Sequence, residues 1–316
     1  MGKYVLRRLI LLIPTLIGMS LLIFIMLRLL PGDVVDVMMA GDTPGTADQK
    51  QALREAFGLD KPLPIQYLDW IGGMAQGNLG QSLRTRESVT AILLRSLPVT
   101  LELTILAILI GTVTAIPLGV FSATKPDAAV DYWSRIAGLI GLSLPNFWLA
   151  TLALLFTSLW FRWVPPINYI SPFSDPIGNL QQMLIPACAI ALHLMAIVMR
   201  MTRTMMLEVL RQDYVRTARA KGAGERLVVY RHALRNALIP VVSVIGFQVG
   251  ALMGGSAIVE VIFGLNGVGN TLVQGIFNRD YPLIQASALF LATIFVVVNL
   301  IVDLLYGYLD PRVKLA

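Results

Sequence analysis

The sequence predicts an all-α polytopic membrane protein that crosses the bilayer six times. Three observations carry that reading. Of the 316 residues, 56% are hydrophobic and 14% charged, a balance too apolar for a soluble chain of this length. Six charge-free windows are each long enough to span the hydrocarbon core as a helix, which takes ~20 residues. The basic residues behind the net charge of +6 gather beside apolar runs, as membrane topology requires, instead of forming a solvated, aromatic-interleaved face for nucleic acid. One polar, basic, helix-prone island, Asp213 to Pro240, separates two of the apolar windows.

The first window holds nineteen uncharged residues between Arg8 and Arg28. Lys3, Arg7 and Arg8 could pass for the n-region of a signal peptide, yet the apolar run is too long for an h-region and no A-x-A site follows, so an uncleaved helix is expected. A polar connection then runs from Leu30 to Leu97. In it Thr46 can cap a short helix through Phe57, Gly58 suits the position just past its end, and Pro62 can start another helix carrying Tyr67 and Trp70. Residues 77–83 read as a turn and a surface segment. The remaining windows are Leu103–Thr124, Ile136–Phe161, Pro176–Met199, Asn236–Val259 and Tyr281–Val302, with prolines at 117, 145 and 186 expected to distort three of them.

Counting lysine and arginine orients the chain. With the N-terminus inside, the inner segments collect three basic residues in the tail, Lys125 and Arg135, nine from Arg200 to Arg235, and Arg312 and Lys314. The short outer loops hold Arg162 and Arg279. Both termini and the island are therefore expected in the cytoplasm. The chain divides into the tail and first span (1–30), an extracytoplasmic loop domain with short helices (31–97), and a five-helix core (98–316) with a cytoplasmic loop at 206–236.

Catalysis finds no support. There is no G-x-x-x-x-G-K-[ST] to cradle a nucleotide, and the sole cysteine, Cys188, excludes disulfides within the chain and a cysteine metal cluster. No cofactor or metal is expected on this chain. His193 and His232 fall in different compartments, and Glu102, Glu260 and Asp303 fall near span ends, where a solvated interfacial position is the ordinary reading. His193, without an acidic partner, reads as a packed or hydrogen-bonded helix residue. In the fifth window Gly246, Gly250 and Gly254 are four apart on one helical face, a spacing that permits close helix packing. A pore-lining face is the other reading, with Gln248 and Ser256 offering polar groups to a solute.

The island has an ordered pattern of small residues: Ala218 and Ala220 precede a bend at Gly222 and Gly224, and Glu225 to Asn236 resumes a helix. Such a knob fits a cleft in a partner, where Arg216, Arg219, Lys221 and Arg226 can meet acidic groups; contact with anionic lipid headgroups is the alternative. Here the sequence resembles a known family, the inner-membrane permeases of binding-protein-dependent ABC importers, and within it the B-type subunit of the dipeptide and oligopeptide group. D-Y-V-R-T-A-R-A-K-G and H-A-L-R-N-A-L-I-P resemble that group's cytoplasmic E-A-A loop. Of the general E-A-A pattern, Ala218, Gly222 and Leu234 match literally, while Arg216, Thr217 and the residues around His232 depart from it in the manner of the peptide branch. The likeness extends to Y-V-L-R-R-L-I-L-L-I-P-T-L, L-P-G-D, F-G-L-D-K-P-L, G-N-L-G-Q-S, R-D-Y-P-L-I-Q and the closing V-N-L-I-V-D-L-L-Y-G-Y-L-D-P-R; in I-F-G-L-N-G-V-G, Asn266 stands where many relatives have proline.

The resemblance implies the ABC type I importer permease fold and a division of labour. A homologous second permease would complete the path, an extracytoplasmic substrate-binding protein would deliver the solute, and two ABC ATPase subunits would use ATP and Mg. It makes Arg216, Thr217, Ala218, Arg219, Ala220, Lys221, Gly222, Ala223, Gly224, Glu225 and Arg226 the coupling helix that docks an ATPase. Peptides are the expected cargo, with glutathione, nickel chelates or sugars as alternatives. A self-sufficient secondary transporter or channel, or a membrane anchor, are the rival functions.

Overall fold

The computed structural model describes residues 2–29, 35, 39, 46–56, 58–166 and 168–309. The L-P-G-D stretch, Phe57, Arg312, Lys314 and the side chain of Asp303 lie outside these described residues. Among the described residues five helices are long and apolar enough to cross a membrane, and a bent pair makes a sixth crossing if counted as one span. They are α1 (Gly2–Arg28), α4 (Val89–Thr124), α7 (Pro176–Leu210), the Glu225–Gly255 segment ending in α10 (Leu234–Gly255), and α13 (Tyr281–Leu309).

The bent pair is α5 (Ala129–Ser143) and α6 (Asn146–Phe161), which meet at 103°. Leu144 is extended, as a residue before proline is forced to be, and Pro145 starts the next helix. Pro117 and Pro186 each sit inside an unbroken helix. Close packing compensates at Pro186, which is buried in the most enclosed helix of the bundle.

The core forms where α4 lies along α7. Val99, Leu103, Ala107 and Ala115 of α4 are buried against Met183, Ala187, Ile190, Ala191, Leu194 and Val198 of α7. Ala107, Gly111, Ala115 and Gly119 are spaced four apart, so the backbones approach closely along this face. A Cβ at Gly119 would lie 2.8 Å from the Met199 carbonyl oxygen, which makes glycine obligatory there. The glycine run read in the fifth span makes close contacts of its own. Of that run, Gly246 packs on Val302, and a Cβ at Gly250 would come within 2.8 Å of Phe295; Gly254 has open space.

Among the described residues, two short helices decorate the connection after α1. In α2 (Ala47–Ala56) the Thr46 amide donates to Gln49 Oε1 at 3.0 Å and the Gln49 amide donates to Thr46 Oγ1 at 3.4 Å, a reciprocal cap. Helix α3 (Leu63–Ala75), begun at Pro62 as expected, places Tyr67 and Trp70 around Phe24 of α1, with Tyr67 hydroxyl 2.8 Å from Ser20. The 77–83 segment is less superficial than its sequence suggests, because Ser82 is buried and donates to Asp280.

Candidate functional site

The island comprises α8 (Asp213–Ala220), a glycine bend, α9 (Glu225–Leu227) and a π turn at Val228–Ala233 that runs directly into α10. Gly222 adopts φ +80°, a left-handed conformation that glycine alone takes at little cost. The Gly222 amide donates to the Arg219 carbonyl at 2.9 Å and the Ala223 amide to the Ala218 carbonyl at 3.2 Å. These two bonds are the Schellman closure of α8, so the chain turns sharply and its last carbonyls are satisfied. Arg219 then clamps across the bend, its Nε and Nη2 donating to the two Glu225 carboxylate oxygens at 3.0 and 2.7 Å. With both side chains well exposed, this pair shapes the knob and adds little stability.

Below the knob an apolar foot anchors it. Val215 is fully buried under α8, and Val229, Ala233 and Ala237 pack with Val120 and Ala123 of α4 and Met206 of α7. Tyr214 holds the two arms together through Asn236, which donates to its hydroxyl at 2.8 Å. The outer surface is left polar and open: Arg216, Thr217, Arg219, Ala220, Lys221, Gly222, Gly224, Glu225 and Arg226 are exposed, while Ala218 and Ala223 are half-buried. Beside it, Leu227 and Tyr230 are each about half exposed and border a shallow hollow with Gly224 and Arg231. The π turn is not readable from the sequence, where residues 225–236 follow one helical pattern. It inserts an extra residue in the ladder between this surface and α10.

Near the island, an ion-paired clasp joins three helices. Arg203 of α7 donates from Nε to Asp131 Oδ1 at 2.7 Å and from Nη2 to Oδ2 at 3.1 Å, while Ser122 of α4 donates to the same carboxylate. Arg135 approaches Asp131 at 3.2 Å, and Asp131 is 0% exposed. Topology counting weighs only lysine and arginine, so an acidic residue at the head of a span gave no signal of this role.

The opposite end of the bundle holds a second polar cluster, around Glu260. This residue, expected in solvent at a span end, is fully buried in α11 (Ala257–Ile262). Its carboxylate accepts from Thr100 Oγ1 at 2.8 Å, Ser256 Oγ at 3.1 Å and the Asn270 amide at 2.9 Å. Thr100 Oγ1 in turn accepts from the Val268 amide at 2.8 Å, so the two side chains satisfy the first turn of α12 (Val268–Phe277). The reason for burial is the capping demand of that helix start. Burial pushes the Glu260 carboxyl above its ordinary range, opposed by these hydrogen bonds.

A carboxyl with a raised folded-state pKa adds stability below the ordinary glutamate range and loses it as pH rises through the raised value. Thermal unfolding in detergent is expected to show that decline, and Glu260→Gln to flatten it. Glu260→Ala strands three donors and is expected to cost about 1–3 kcal/mol for each one left unsatisfied.

Ser256 therefore belongs to this cluster: it is fully buried, with its hydroxyl directed to Glu260 and the Met253 carbonyl, and offers nothing to a passing solute. Gln248 is half-buried. His193 sits 3.3 Å from the Gly141 carbonyl, a hydrogen-bonded helix residue as read from sequence. Among the described residues no group of three or more histidine, cysteine, aspartate or glutamate side chains could hold a metal.

A protein-family model described as the binding-protein-dependent transport system inner membrane component matches residues 115–315, and a second, for the N-terminal part of such membrane components, matches 1–104. The chain belongs to this family. The permease is 42% identical to the Di/tripeptide transport system permease protein DppB of Pseudomonas aeruginosa, with 99% of each chain covered. It is 38% identical to the Oligopeptide transport system permease protein AppB of Bacillus subtilis, over 99% of this chain and all of that one. Its fold matches a chain in the crystal structure of an amino acid ABC transporter with histidines, at TM-score 0.53 and 18% identity, over 71% of the permease and 95% of the other chain. A chain of the inward-facing MetNI methionine ABC transporter gives TM-score 0.56 at 18% identity, covering 69% and 96%. At that identity the two structures speak for the fold alone. The permease is thus a B-type ABC importer subunit and a multi-pass protein of the bacterial inner membrane. Such subunits carry solute and are not enzymes; the ATPase is separate, and importers of this type work with a partner permease and a binding protein.

Proposed function

We propose that the permease imports peptides, forming the path with a homologous second permease, and that its island is the cytoplasmic seat of one of two ABC ATPase subunits. The observation that carries this reading is the island itself: a Schellman-closed, apolar-footed knob whose outer surface presents Arg216, Lys221 and Arg226 without catalytic machinery. Charge bias supports a cytoplasmic island and cytoplasmic termini. ATP and Mg would be used by the ATPases, and the 31–97 loop would face the binding protein. Peptide cargo is supported by the relatives named for di-, tri- and oligopeptide transport. On this reading Gly246 and Gly250 serve helix packing against α13, and Gln248 is left as the candidate for the path.

Reconstitution in proteoliposomes tests the whole proposal. Uptake of a labelled dipeptide is expected only when the second permease, both ATPases, the binding protein and ATP are all present. Gradient-driven flux through the chain alone would make it a secondary transporter or channel. ATP-driven uptake of glutathione, a nickel chelate or a sugar in place of peptide would keep the docking and overturn the cargo.

A further inference from the structure

A cavity of about 290 Å³ opens between α5 and α7 at the island end of the bundle. Its walls and its rim differ in chemistry. Gly138, Leu139, Leu142 and Met199 make an apolar slot, and Arg135, Arg200 and Arg203 stand around its mouth. The placement follows from helical spacing. Arg135, Gly138, Leu139 and Leu142 share one face of α5, and Arg200, Arg203 and Thr204 share one face of α7. Gly138 keeps the slot open beside Met199, whose Cε would lie 3.0 Å from an added Cβ.

Both arginine sets mark the edge of a charge-free window: Arg135 is the last charge before Ile136–Phe161, and Arg200 the first after Pro176–Met199. The rim therefore lies at headgroup depth and the slot at acyl depth. Charge at the mouth is unbalanced. Three guanidinium groups face two carboxylates, Asp127 and Asp131, which pair with Arg135 and Arg203. Arg200 is exposed and makes no ion pair among the described residues. Ser134, 7% exposed and lining the same cavity, makes no side-chain hydrogen bond to the described residues. An amphiphile with one negative charge and an acceptor for a hydroxyl matches all of these features at once.

We propose that this slot binds one anionic phospholipid, its phosphate held by Arg200 and Ser134 with Arg135 and Arg203 beside them, and an acyl chain laid along Leu139 and Leu142. The guanidinium fork suits phosphate oxygens, and basic pockets between spanning helices are built for such headgroups. The occupancy is independent of which solute the permease carries.

Native mass spectrometry of the full chain in detergent tests the site with three probes: phosphatidylglycerol, zwitterionic phosphatidylethanolamine and glycerol phosphate. One phosphatidylglycerol is expected to be retained about fivefold more strongly than phosphatidylethanolamine, the effect of one uncompensated basic residue near a membrane surface. Arg200→Ala is expected to remove that preference without altering thermal unfolding, and Arg162→Ala, at the other end of the bundle, to leave it intact. Equal retention of the two lipids overturns the proposal. So does an undiminished preference in Arg200→Ala, an equal loss in Arg162→Ala, or displacement of the lipid by equimolar glycerol phosphate, which would assign the site to a free anion.

Discussion

Replacing Gly222 with leucine is expected to cut ATP-driven uptake at least tenfold and to release the ATPase subunits on purification, while the chain still inserts and folds. Two costs must be separated. Within the chain, a side chain at φ +80° is strained by about 1–2 kcal/mol, but a Cβ there meets nothing within 4 Å. The intrinsic damage is thus local to a solvent-facing bend and small beside a whole membrane bundle. In a seated complex, by contrast, the bend is the tip of the knob, and leucine there would hold the ATPase surface away. Gly222→Asn separates the effects, since asparagine tolerates the left-handed region yet still adds bulk. The asparagine variant is expected to unfold thermally like the wild type and still to lose ATPase in pull-down. Normal uptake by the leucine variant would sink docking at this position.

Asp131→Ala is expected to destabilise the chain by about 3 kcal/mol or more, measured as thermal unfolding in detergent. Removing one member of a buried pair leaves the other charge uncompensated, at a cost of roughly 3–5 kcal/mol. Asp131 is 0% exposed and Arg203 24%, so the stranded guanidinium reaches some solvent and the lower end of that range applies. The carboxylate also gathers Ser122 and the Asp127 amide, which would lose their acceptor together. Combining Asp131→Ala with Arg203→Met is expected to recover part of the loss, because the unpaired charge goes with its partner. A change below about 1 kcal/mol would place the clasp among solvated pairs of little worth. Uptake should fall with the amount of folded protein, leaving activity per folded complex near that of the wild type.

The spans were legible because lipid imposes one severe rule, that a crossing segment be apolar and long, and the charge-free windows obey it. The broken third span was legible in part, since Pro145 announces a distortion without saying how sharp it is. Gly222 was read from its neighbours, because a glycine after an alanine-rich turn is a helix stop in almost any context. What resisted reading were interactions joining residues far apart in the chain. Thr100 and Glu260 are separated by five-score and more positions, as are Ser82 and Asp280, and no local pattern marks them as partners. Glu260 was misplaced for that reason: from sequence its polarity argues for water, and only the folded chain supplies the amide and hydroxyls that make burial tolerable. The π turn was missed because its residues differ in no way from those of a regular helix.

Helix α4 touches both polar clusters, Thr100 at one and Ser122 at the other. The two residues lie about 33 Å apart along the helix axis at 1.5 Å per residue. Pro98 stands beside the first anchor and Pro117 near the second, both inside one continuous helix. One continuous helix therefore carries, at its two ends, the floor on which the knob's apolar foot rests, at Val120 and Ala123, and the hydroxyl that caps α12.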